Sequence, residues 1–472
     1  MRFAMSFSTV SFFLLALMLG APPPARADGA LEALVAKARE ASGAPYRYHV
    51  VSTSHETDDR REYVVTTESQ GLKYRARKCV GSLCTTGFYF DGERSFDTNF
   101  NDTAIPLSSG IDGLQLTLRA IASYAFTAPD FRANGGQIEA RDAISRDGKM
   151  YGRIAVAPRF GSLLDAVIDP DSGLVVGVIS DAKRLAFEFR DQRKVGNRIT
   201  LPYEIYLNGS LIERFDERTI DPAPLSAPPG IVPQIRGGAT TVAMSRTDAP
   251  VVPCTIGGHA VACLFDTGNS GLAMSAELAH ALGVTPVTGG VIGSPGSPIS
   301  GVAKAPALSV GAATYPSAQY VVVAGLHASG YDVVLGADAF ANARVSLDFP
   351  KRAITIANAN GAPSGGPSVM LEFQNFVPTA AVSLAGAQPL QLSVDTGDAA
   401  AVELASDYAA KHALEAGSET VGMGGAVAEH MRVETTKRLS APDIGVVGTG
   451  FLQHFVASFD YAHGRLVLSP AT

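Results

Sequence analysis

The feature that most constrains this chain is an Asp-Thr-Gly tripeptide that occurs twice, each time directly after a short apolar run. The first copy lies in residues 263–275, CLFDTGNSGLAMS, and begins at Asp266. The second copy begins at Asp395 and follows Leu392 and Val394. Each pattern predicts a strand that ends in a tight loop with a carboxylate at its tip. One tripeptide would be a weak signal in a glycine-rich chain, but two similar loops indicate a pair.

The segments that follow the two loops also match each other. Residues 333–356, VVLGADAFANARVSLDFPKRAITI, align without a gap with residues 445–468, GVVGTGFLQHFVASFDYAHGRLVL. The offset is 458 − 346 = 112 residues between Ser346 and Ser458, whereas the tripeptides are 395 − 266 = 129 residues apart. An internal duplication therefore accounts for residues 240–470. Two copies of a β-rich lobe would bring the two loops together across a pseudo-two-fold axis.

Length and composition indicate a globular protein of several domains. At 472 residues the chain is too long for one compact core, so we expect roughly two to four domains. Hydrophobic residues make up 46% and charged residues 18%, which is typical of neither a disordered nor a membrane-spanning chain. The formal net charge is −7, with both signs interspersed. The absence of a basic patch argues against nucleic acid or anionic lipid as a partner.

Residues 1–27 have the pattern of a secretory signal peptide. Arg2 precedes an apolar core at 12–19, and Ala25-Arg26-Ala27 forms a small-residue cleavage site. The apolar core is shorter than the ~20 residues that a bilayer span needs, which disfavours a transmembrane anchor. We expect a soluble, exported protein in the periplasm or the medium.

The four cysteines fall into two close pairs, Cys79 with Cys84 and Cys254 with Cys263. In an oxidising compartment each pair is a candidate local disulfide, although four cysteines permit three connectivities and unpaired buried thiols are the alternative. The pairs are far apart in sequence and no HExxH motif occurs, so neither a metal site nor a cofactor is expected.

Residues 28–221 predict an α+β domain with an open antiparallel sheet. Residues 30–42 have apolar side chains at helical spacing, and most of the residues that follow alternate as strands do. A further helix is predicted at 117–126, and the hairpin turn 169–173 lies in IDPDSGLVVGV. The pattern resembles periplasmic lipoprotein-carrier domains, and that resemblance implies a site for an acyl chain or another hydrophobic ligand.

The proline-rich run DPAPLSAPPGIVP begins at Asp221. This composition predicts a stiff linker at residues 222–236. Beyond it we expect one lobe at 237–360 and a second at 361–472. The first lobe should contain a hairpin around Gly257-Gly258, helices at 276–282 and 339–343, and a mobile flap at 289–301. The second lobe has only a short flap candidate, at 421–425.

Here the residues resemble a family. An Asp-Thr-Gly preceded by a hydrophobic hairpin and followed by hydrophobic-hydrophobic-Gly is the pattern of retropepsin-like aspartic peptidases, and two copies resemble the bilobal acid-protease fold. The resemblance implies a mainly β chain with two β-barrel lobes and a catalytic pair, Asp266 and Asp395. It implies that the threonines lock the two loops together and that the glycines allow close approach; the residues concerned are Thr267, Gly268, Thr396 and Gly397.

The chemistry of two adjacent carboxylates agrees with this assignment. Two such groups within hydrogen-bonding reach share one proton and titrate as a pair. The ionised member takes a proton from a bound water while the protonated member polarises the scissile carbonyl. We therefore expect a monomeric aspartic endopeptidase, a hydrolase that acts on peptides or proteins.

The two loops differ at one supporting position. Ser270 fits the place from which a hydroxyl supports the pair, whereas the second loop has Ala399 there and adds Asp398. A lost donor and an added charge both disfavour ionisation of Asp395, which predicts an activity optimum shifted toward neutral pH.

Two other functions are compatible with these residues. The aspartates could survive only as turn residues in a peptide-binding protein that has lost catalysis. Alternatively, residues 28–221 could carry a lipid or lipoprotein, with the two lobes as a scaffold.

Overall fold

The computed structural model describes residues 26–58, 61–81, 83–85, 87–107, 113–180, 185–246, 248–287, 299–359, 366–384, 388–439 and 443–470. The predicted signal segment lies outside these residues except for Arg26 and Ala27, which form part of the first helix. Of the helices described, none is both long and apolar enough to cross a bilayer. The chain is mainly β, as predicted.

The described residues of the N-terminal domain form two α-helices and fifteen strands. The sequence predicts both helices, the second with shifted bounds, and nine of the strands. Their bounds are α1 Arg26–Ser42, β1 His49–Asp58, β2 Arg61–Gln70, β3 Lys73–Val80, β4 Leu83–Cys84, β5 Gly87–Phe90, β6 Ser95–Thr98, β7 Ala104–Pro106, α2 Gly113–Ala122, β8 Gln137–Arg146, β9 Lys149–Ala157, β10 Leu164–Ile168, β11 Val175–Ser180, β12 Leu185–Val195, β13 Ile199–Leu207, β14 Ser210–Arg214 and β15 Glu217–Asp221.

These strands form two antiparallel sheets. One has the order β15-β1-β2-β3-β5-β6-β7, with β4 added to β3, and the other runs β14-β13-β12-β11-β10-β9-β8. Apolar residues of α1 and α2, such as Val35 and Ile121, pack with Ile154 and Val178 of the second sheet. The helix predicted at 117–126 ends four residues early because Tyr124 adopts a left-handed backbone conformation, φ 57°, before a 3-10 turn.

The proline-rich linker packs against the protein along part of its length. No strand occurs at 222–233, as expected for that composition. Leu225 and Ile231 are nevertheless each only 3% exposed, and the Leu225 amide donates to Gln70 Oε1 at 2.9 Å. The predicted linker therefore joins the two parts of the chain through buried contacts.

The described residues of the C-terminal part form four short α-helices and twenty-two strands. Their bounds are β16 Gln234–Ile235, β17 Ala239–Ala243, β18 Val251–Ile256, β19 His259–Phe265, β20 Leu272–Ser275, α3 Ala276–Ala281, β21 Ile299–Ala305, β22 Leu308–Val310, β23 Ala313–Tyr315, β24 Ala318–Val323, β25 Val333–Leu335, α4 Ala337–Phe340, β26 Ala343–Asp348, β27 Ala353–Asn358, β28 Ser368–Met370, β29 Glu372–Gln374, β30 Val377–Leu384, β31 Leu390–Val394, β32 Val402–Ala405, α5 Ser406–Lys411, β33 Gly417–Met423, β34 Ala426–Thr436, β35 Gly445–Val447, α6 Thr449–Leu452, β36 Phe455–Asp460 and β37 Arg465–Pro470.

Both halves of this part place their elements in the same order. The first contains the path β18-β19-β25-β20-β24-β21, and the second contains β30-β31-β35-β32-β34-β33. In each, the strand that ends at an Asp-Thr-Gly runs parallel to the strand of the hydrophobic-hydrophobic-Gly motif, β19 with β25 and β31 with β35. This shared topology brings each aspartate beside a glycine-ended strand.

A third sheet, which we call the seam sheet, joins the halves. Its order is β17-β27-β26-β36-β37-β28, so β26 of the first half pairs with β36 of the second. In this antiparallel register Ser346 lies opposite Ser458, and their hydroxyl oxygens are 2.7 Å apart. Since these residues are equivalent in the two aligned segments, the seam sheet crosses between the halves at matching positions.

The remaining predictions in this part differ in outcome. The hairpin turn at Gly257 and Gly258 is present, with positive φ at both glycines. The helix predicted at 339–343 is instead Ala337–Phe340, because β25 ends directly before Gly336 and β26 already begins at Ala343. Most of the predicted flap 289–301 lies outside the described residues, and 421–425 belongs to the β33–β34 hairpin.

Both predicted disulfides are present. One joins Cys79 to Cys84 on the short hairpin of β3 and β4, and the other joins Cys254 to Cys263 across the hairpin of β18 and β19. The second disulfide therefore fixes the hairpin that leads into the first Asp-Thr-Gly loop.

Candidate active site

The first Asp-Thr-Gly loop begins where β19 ends. The Asp266 amide donates to the Leu335 carbonyl at 3.0 Å, which continues the parallel pairing of β19 with β25 by one residue. The Asp266 carboxylate then accepts the Gly268 amide on Oδ1 at 2.8 Å. This contact turns the chain sharply and fixes the orientation of the side chain.

The second loop repeats this geometry contact by contact. The Asp395 amide donates to the Val447 carbonyl at 2.9 Å, and Asp395 Oδ1 accepts the Gly397 amide at 2.7 Å. Equivalent backbone positions therefore present both carboxyl groups, although the residues around them differ.

The two carboxyl groups meet between the loops. Asp266 and Asp395 share a side-chain hydrogen bond, and each lies against the glycine of the opposite loop. A Cβ atom built on Gly268 would lie 2.5 Å from Asp395 Cγ, and one on Gly397 would lie 2.7 Å from Asp266 Cγ. Real Cβ atoms do not approach so closely, so these two positions require glycine.

Two threonines lock the loops from below. The Thr267 amide donates to Thr396 Oγ1 and the Thr396 amide donates to Thr267 Oγ1, both at 3.0 Å. Each hydroxyl then donates across to the opposite strand, to the carbonyl of Val394 at 2.6 Å and to that of Phe265 at 2.8 Å. Both threonines are fully buried, so these four bonds are shielded from competition with water.

A glycine supports each loop from behind. Gly336 donates to the Gly271 carbonyl at 2.9 Å, and a Cβ at this position would collide with the carbonyls of Asn269 and Gly271. Gly448 meets the carbonyls of Asp398 and Ala400 in the same way. The third residue of each hydrophobic-hydrophobic-Gly motif is thus a steric requirement of the loop it supports.

Burial and mutual repulsion determine the charge of the pair. Removal from water and the neighbouring Asp395 raise the pKa of Asp266 well above its usual range. Burial also raises the pKa of Asp395, while the hydrogen bond from Asp266 and the amide of Gly397 favour its charged form. The pair therefore titrates as a unit that shares a proton, and the contacts around Asp395 favour its charged form more than those around Asp266 do.

An ion-pair cluster beside the second loop was not foreseen from the sequence. The Arg438 guanidinium contacts the carboxylates of both Asp398 and Glu403. Its charge lowers the pKa of Asp395, whereas the charge of Asp398 raises it. Arg438 therefore offsets the added carboxylate on which the predicted neutral optimum depended. Arg438 is 40 residues from Asp398 in the chain, so no local pattern could have revealed the pair.

The predicted support from Ser270 stays a prediction. Its backbone carbonyl accepts the side-chain amide of Asn99 at 3.0 Å, but among the described contacts its hydroxyl has no hydrogen bond to the pair. At the equivalent place in the second loop, Ala399 is exposed. The loops thus differ more in their surroundings than in their own backbone.

Part of the chain is similar to known aspartic proteases. Residues 252–339, from β18 into α4, match the sequence model of a family described as aspartyl protease. An aspartic proteinase from Irpex lacteus of known structure aligns at 15% identity and a TM-score of 0.36, over 50% of this chain and 98% of its own. No curated protein matches the chain. The family match confirms the predicted resemblance to aspartic peptidases, whereas the resemblance of residues 28–221 to lipoprotein-carrier domains stays a prediction.

Proposed function

We propose that this chain, whose residues 252–339 match the aspartyl protease family, is an exported aspartic endopeptidase with Asp266 and Asp395 as its catalytic pair. One observation carries the proposal: two carboxyl groups share a hydrogen bond on loops that reciprocal threonine contacts hold together. A capping role for the two aspartates would not require that they touch each other.

The reaction follows from the protonation of the pair. A water bound between the carboxyl groups gives one proton to Asp395, and its oxygen attacks the carbonyl carbon of the peptide bond. The proton on Asp266 moves to the carbonyl oxygen, which forms a neutral tetrahedral diol. Asp395 then gives its proton to the leaving nitrogen, and one hydroxyl of the diol returns a proton to Asp266 as the carbon–nitrogen bond breaks. The products are a carboxylic acid and an amine, and the pair is back in its starting state. No covalent intermediate with the protein is needed.

Several finer aspects belong to the same proposal. The matching topology of the two halves, together with the gapless alignment of their final segments, supports an internal duplication. The signal pattern at 1–27 and the two disulfides support export to the periplasm or the medium. A peptide or protein is the substrate, and the protein acts as a monomer because one chain supplies both aspartates.

The pair can be tested by removing one charge at a time. Asp266→Asn and Asp395→Asn should each reduce hydrolysis of denatured casein by about 10²- to 10⁴-fold, the usual contribution of acid–base catalysis. Asp407→Asn is a matched control, because Asp407 is exposed in the first turn of α5. Pepstatin should inhibit the wild-type protein. Failure of the wild-type protein to cleave any peptide between pH 3 and 8 would overturn the proposal and leave a binding protein.

A second candidate function rests on a cavity in the N-terminal domain. The cavity encloses about 150 Å³ between the two sheets and α2. Burial lowers the pKa of Arg218 in its wall to about 10, and Glu213 and Arg119 lie nearby. An apolar ligand with an acidic group would fit such a site. Its apolar walls include Val50, Leu118, Phe187, Phe189, Leu201, Ile205 and Phe215.

Ligand binding in this cavity is open to direct measurement. Calorimetric titration of the whole protein should detect hexanoate, whose size suits a cavity of about 150 Å³, and hexanol should bind more weakly because it lacks the charge that Arg218 attracts. Leu118→Trp should fill the cavity and abolish binding, whereas Leu163→Trp, at a residue 46% exposed, should leave it unchanged. Absence of heat from both ligands would exclude this second function.

A further inference from the structure

A loop of the N-terminal domain reaches the candidate active site. Residues 99–103, which we call the clasp loop, connect β6 to β7 at the edge of the first N-terminal sheet. Asn99 is 2% exposed, Phe100 7% and Thr103 0%, so the C-terminal part covers this loop. The next strand contributes Ile105, which is part of the same hydrophobic core as β19 and β25.

The clasp loop binds a buried carboxylate behind the first Asp-Thr-Gly loop. Asp338 lies in α4, fully buried, and accepts Asn99 Nδ2 on Oδ1 at 2.8 Å and Asn101 Nδ2 on Oδ2 at 2.7 Å. The Thr103 side chain and the Leu272 amide also donate to it. A buried carboxylate is costly unless such donors satisfy it. Three of these four donors come from the clasp loop.

The same loop touches the first Asp-Thr-Gly loop directly. Asn99 Nδ2, which donates to Asp338, also donates to the Ser270 carbonyl at 3.0 Å. The Phe100 ring packs against Gly271, where an added Cβ would lie 2.6 Å from its Cζ. Ser270 and Gly271 are four and five residues beyond Asp266, so the clasp loop supports the segment that turns the chain back into β20.

Gln319 of β24 fastens the far side of the clasp loop. Its backbone amide donates to Asn101 Oδ1 at 2.8 Å, and its backbone carbonyl accepts Asn101 Nδ2 at 3.0 Å. Its side-chain amide donates to the Phe100 carbonyl at 2.5 Å, while Oε1 accepts the Cys84 amide at 3.2 Å. The Asn101 side chain therefore bridges Asp338 and Gln319.

Among the residues that the structure describes, the second half has no equivalent of this support. In the gapless alignment Asp338 corresponds to Gly450, since 338 + 112 = 450. A Cβ at Gly450 would lie 2.6 Å from the Ala401 amide nitrogen, so the second loop closes directly onto its own backbone. The first loop instead holds a carboxylate whose donors another domain supplies.

We propose that the clasp loop positions Asp266 opposite Asp395, acting through Asp338 and the Ser270 carbonyl, so that residues 28–221 are a working part of the active site. The expected effect on kcat rests on the proposed peptidase function. The coupling between the clasp loop and the first Asp-Thr-Gly loop rests only on the contacts described above. Asn99 and Asn101 are positioning residues, because they contact Asp338 but neither contacts Asp266 or Asp395.

The test compares two asparagines that make the same kind of bond. Asn101→Ala removes a donor from Asp338, whereas Asn134→Ala removes an exposed asparagine that donates to the Asp130 carboxylate at 3.1 Å. In the full-length protein, Asn101→Ala should lower kcat by about 10- to 100-fold, the scale expected for a misplaced catalytic group, with KM nearly unchanged. Amide exchange of residues 266–272 should be about tenfold faster, while Asn134→Ala should match the wild type in both measurements.

The outcomes separate this inference from the proposed function. If the wild-type protein cleaves peptides, an unchanged kcat or an unchanged exchange rate in Asn101→Ala would overturn the positioning role. If the wild-type protein cleaves nothing, the peptidase proposal fails, but exchange still decides the coupling. Faster exchange at 266–272 in Asn101→Ala alone would then support the clasp loop, and equal rates in both variants would exclude it.

Discussion

Thr267 and Thr396 exchange hydrogen bonds symmetrically: each backbone amide donates to the hydroxyl of the other residue at 3.0 Å. Each hydroxyl is at once an acceptor from one loop and a donor to the opposite strand. The bonds therefore form a closed network across the two halves, and the loss of either hydroxyl leaves a buried amide and a buried carbonyl unsatisfied.

This network predicts equal effects from equivalent changes. Thr267→Val and Thr396→Val should each lower the free energy of unfolding by about 1–3 kcal/mol per buried group left without a partner. Urea denaturation measures the change. Thr241→Val is the matched control, because its hydroxyl bonds to Thr355 at an exposed position, and it should change stability by well under half as much. Markedly unequal effects of the two loop variants would contradict a symmetric network.

The contact between glycines and opposite carboxyl groups predicts a steric effect on catalysis. Gly268→Ala places a methyl group where the Asp395 carboxyl now lies, so the two aspartates should separate and casein hydrolysis should fall by at least about 10²-fold. Gly417→Ala tests the substitution itself, since its added Cβ has nothing within 4 Å. Comparable activity in the two variants would show that the loops can part without loss of function.

The cluster around Arg438 predicts a shift in the pH profile. Since the charge of Arg438 lowers the pKa of Asp395, Arg438→Met should raise that pKa and move the acidic limb of the kcat/KM profile to higher pH. Adding Asp398→Asn should move the limb back, because the unbalanced carboxylate is then removed. Arg432→Met, at an 82% exposed residue of β34, the strand that precedes Arg438, should leave the profile in place. A shift toward lower pH in Arg438→Met would contradict this assignment.

The raised pKa of Asp266 predicts how stability depends on pH. A carboxyl group whose pKa is higher in the folded than in the unfolded protein binds its proton more tightly when folded, so its stabilising contribution is lost as pH rises from about 4 toward the folded value. Asp266→Asn removes this loss. The difference in free energy of unfolding between Asp266→Asn and the wild type should therefore shift in favour of the variant by up to about 1.4 kcal/mol per pH unit between pH 4.5 and 7.

Denaturation at those two pH values measures the effect. Asp407→Asn, at an exposed position, should differ from the wild type by the same amount at both. A constant difference for Asp266→Asn as well would mean that its pKa is ordinary.

Much of the site could be predicted from the sequence because its parts are short and repeat. The tripeptides at Asp266 and Asp395, and the glycines Gly336 and Gly448, are local steric requirements that leave a visible pattern. By contrast, Arg438 and Asp338 act through partners that are distant in the chain. Besides Ala399 and Asp398 in the second loop, the alignment of the charged Asp338 with Gly450 was a further available signal of asymmetry.

The sequence predicted individual helices and strands of the N-terminal domain better than it predicted how they pack together. Alternating apolar residues indicated nine of its described strands and helical spacing indicated α1, yet the division into two sheets depends on packing that no periodicity encodes. The clasp loop gives no local signal either, since Asn99 and Asn101 in a polar turn would ordinarily be expected to face solvent.

The seam sheet has a consequence for how accurately the two aspartates are aligned. Sheet register changes only in whole residues, and a slip of one residue between β26 and β36 would displace one half by about 3.4 Å and turn Ser346 away from Ser458. Such a step exceeds the tolerance of a hydrogen bond. Register therefore sets the coarse alignment of the two halves in discrete steps, and only the finer spacing of the carboxyl groups is left to the loop contacts.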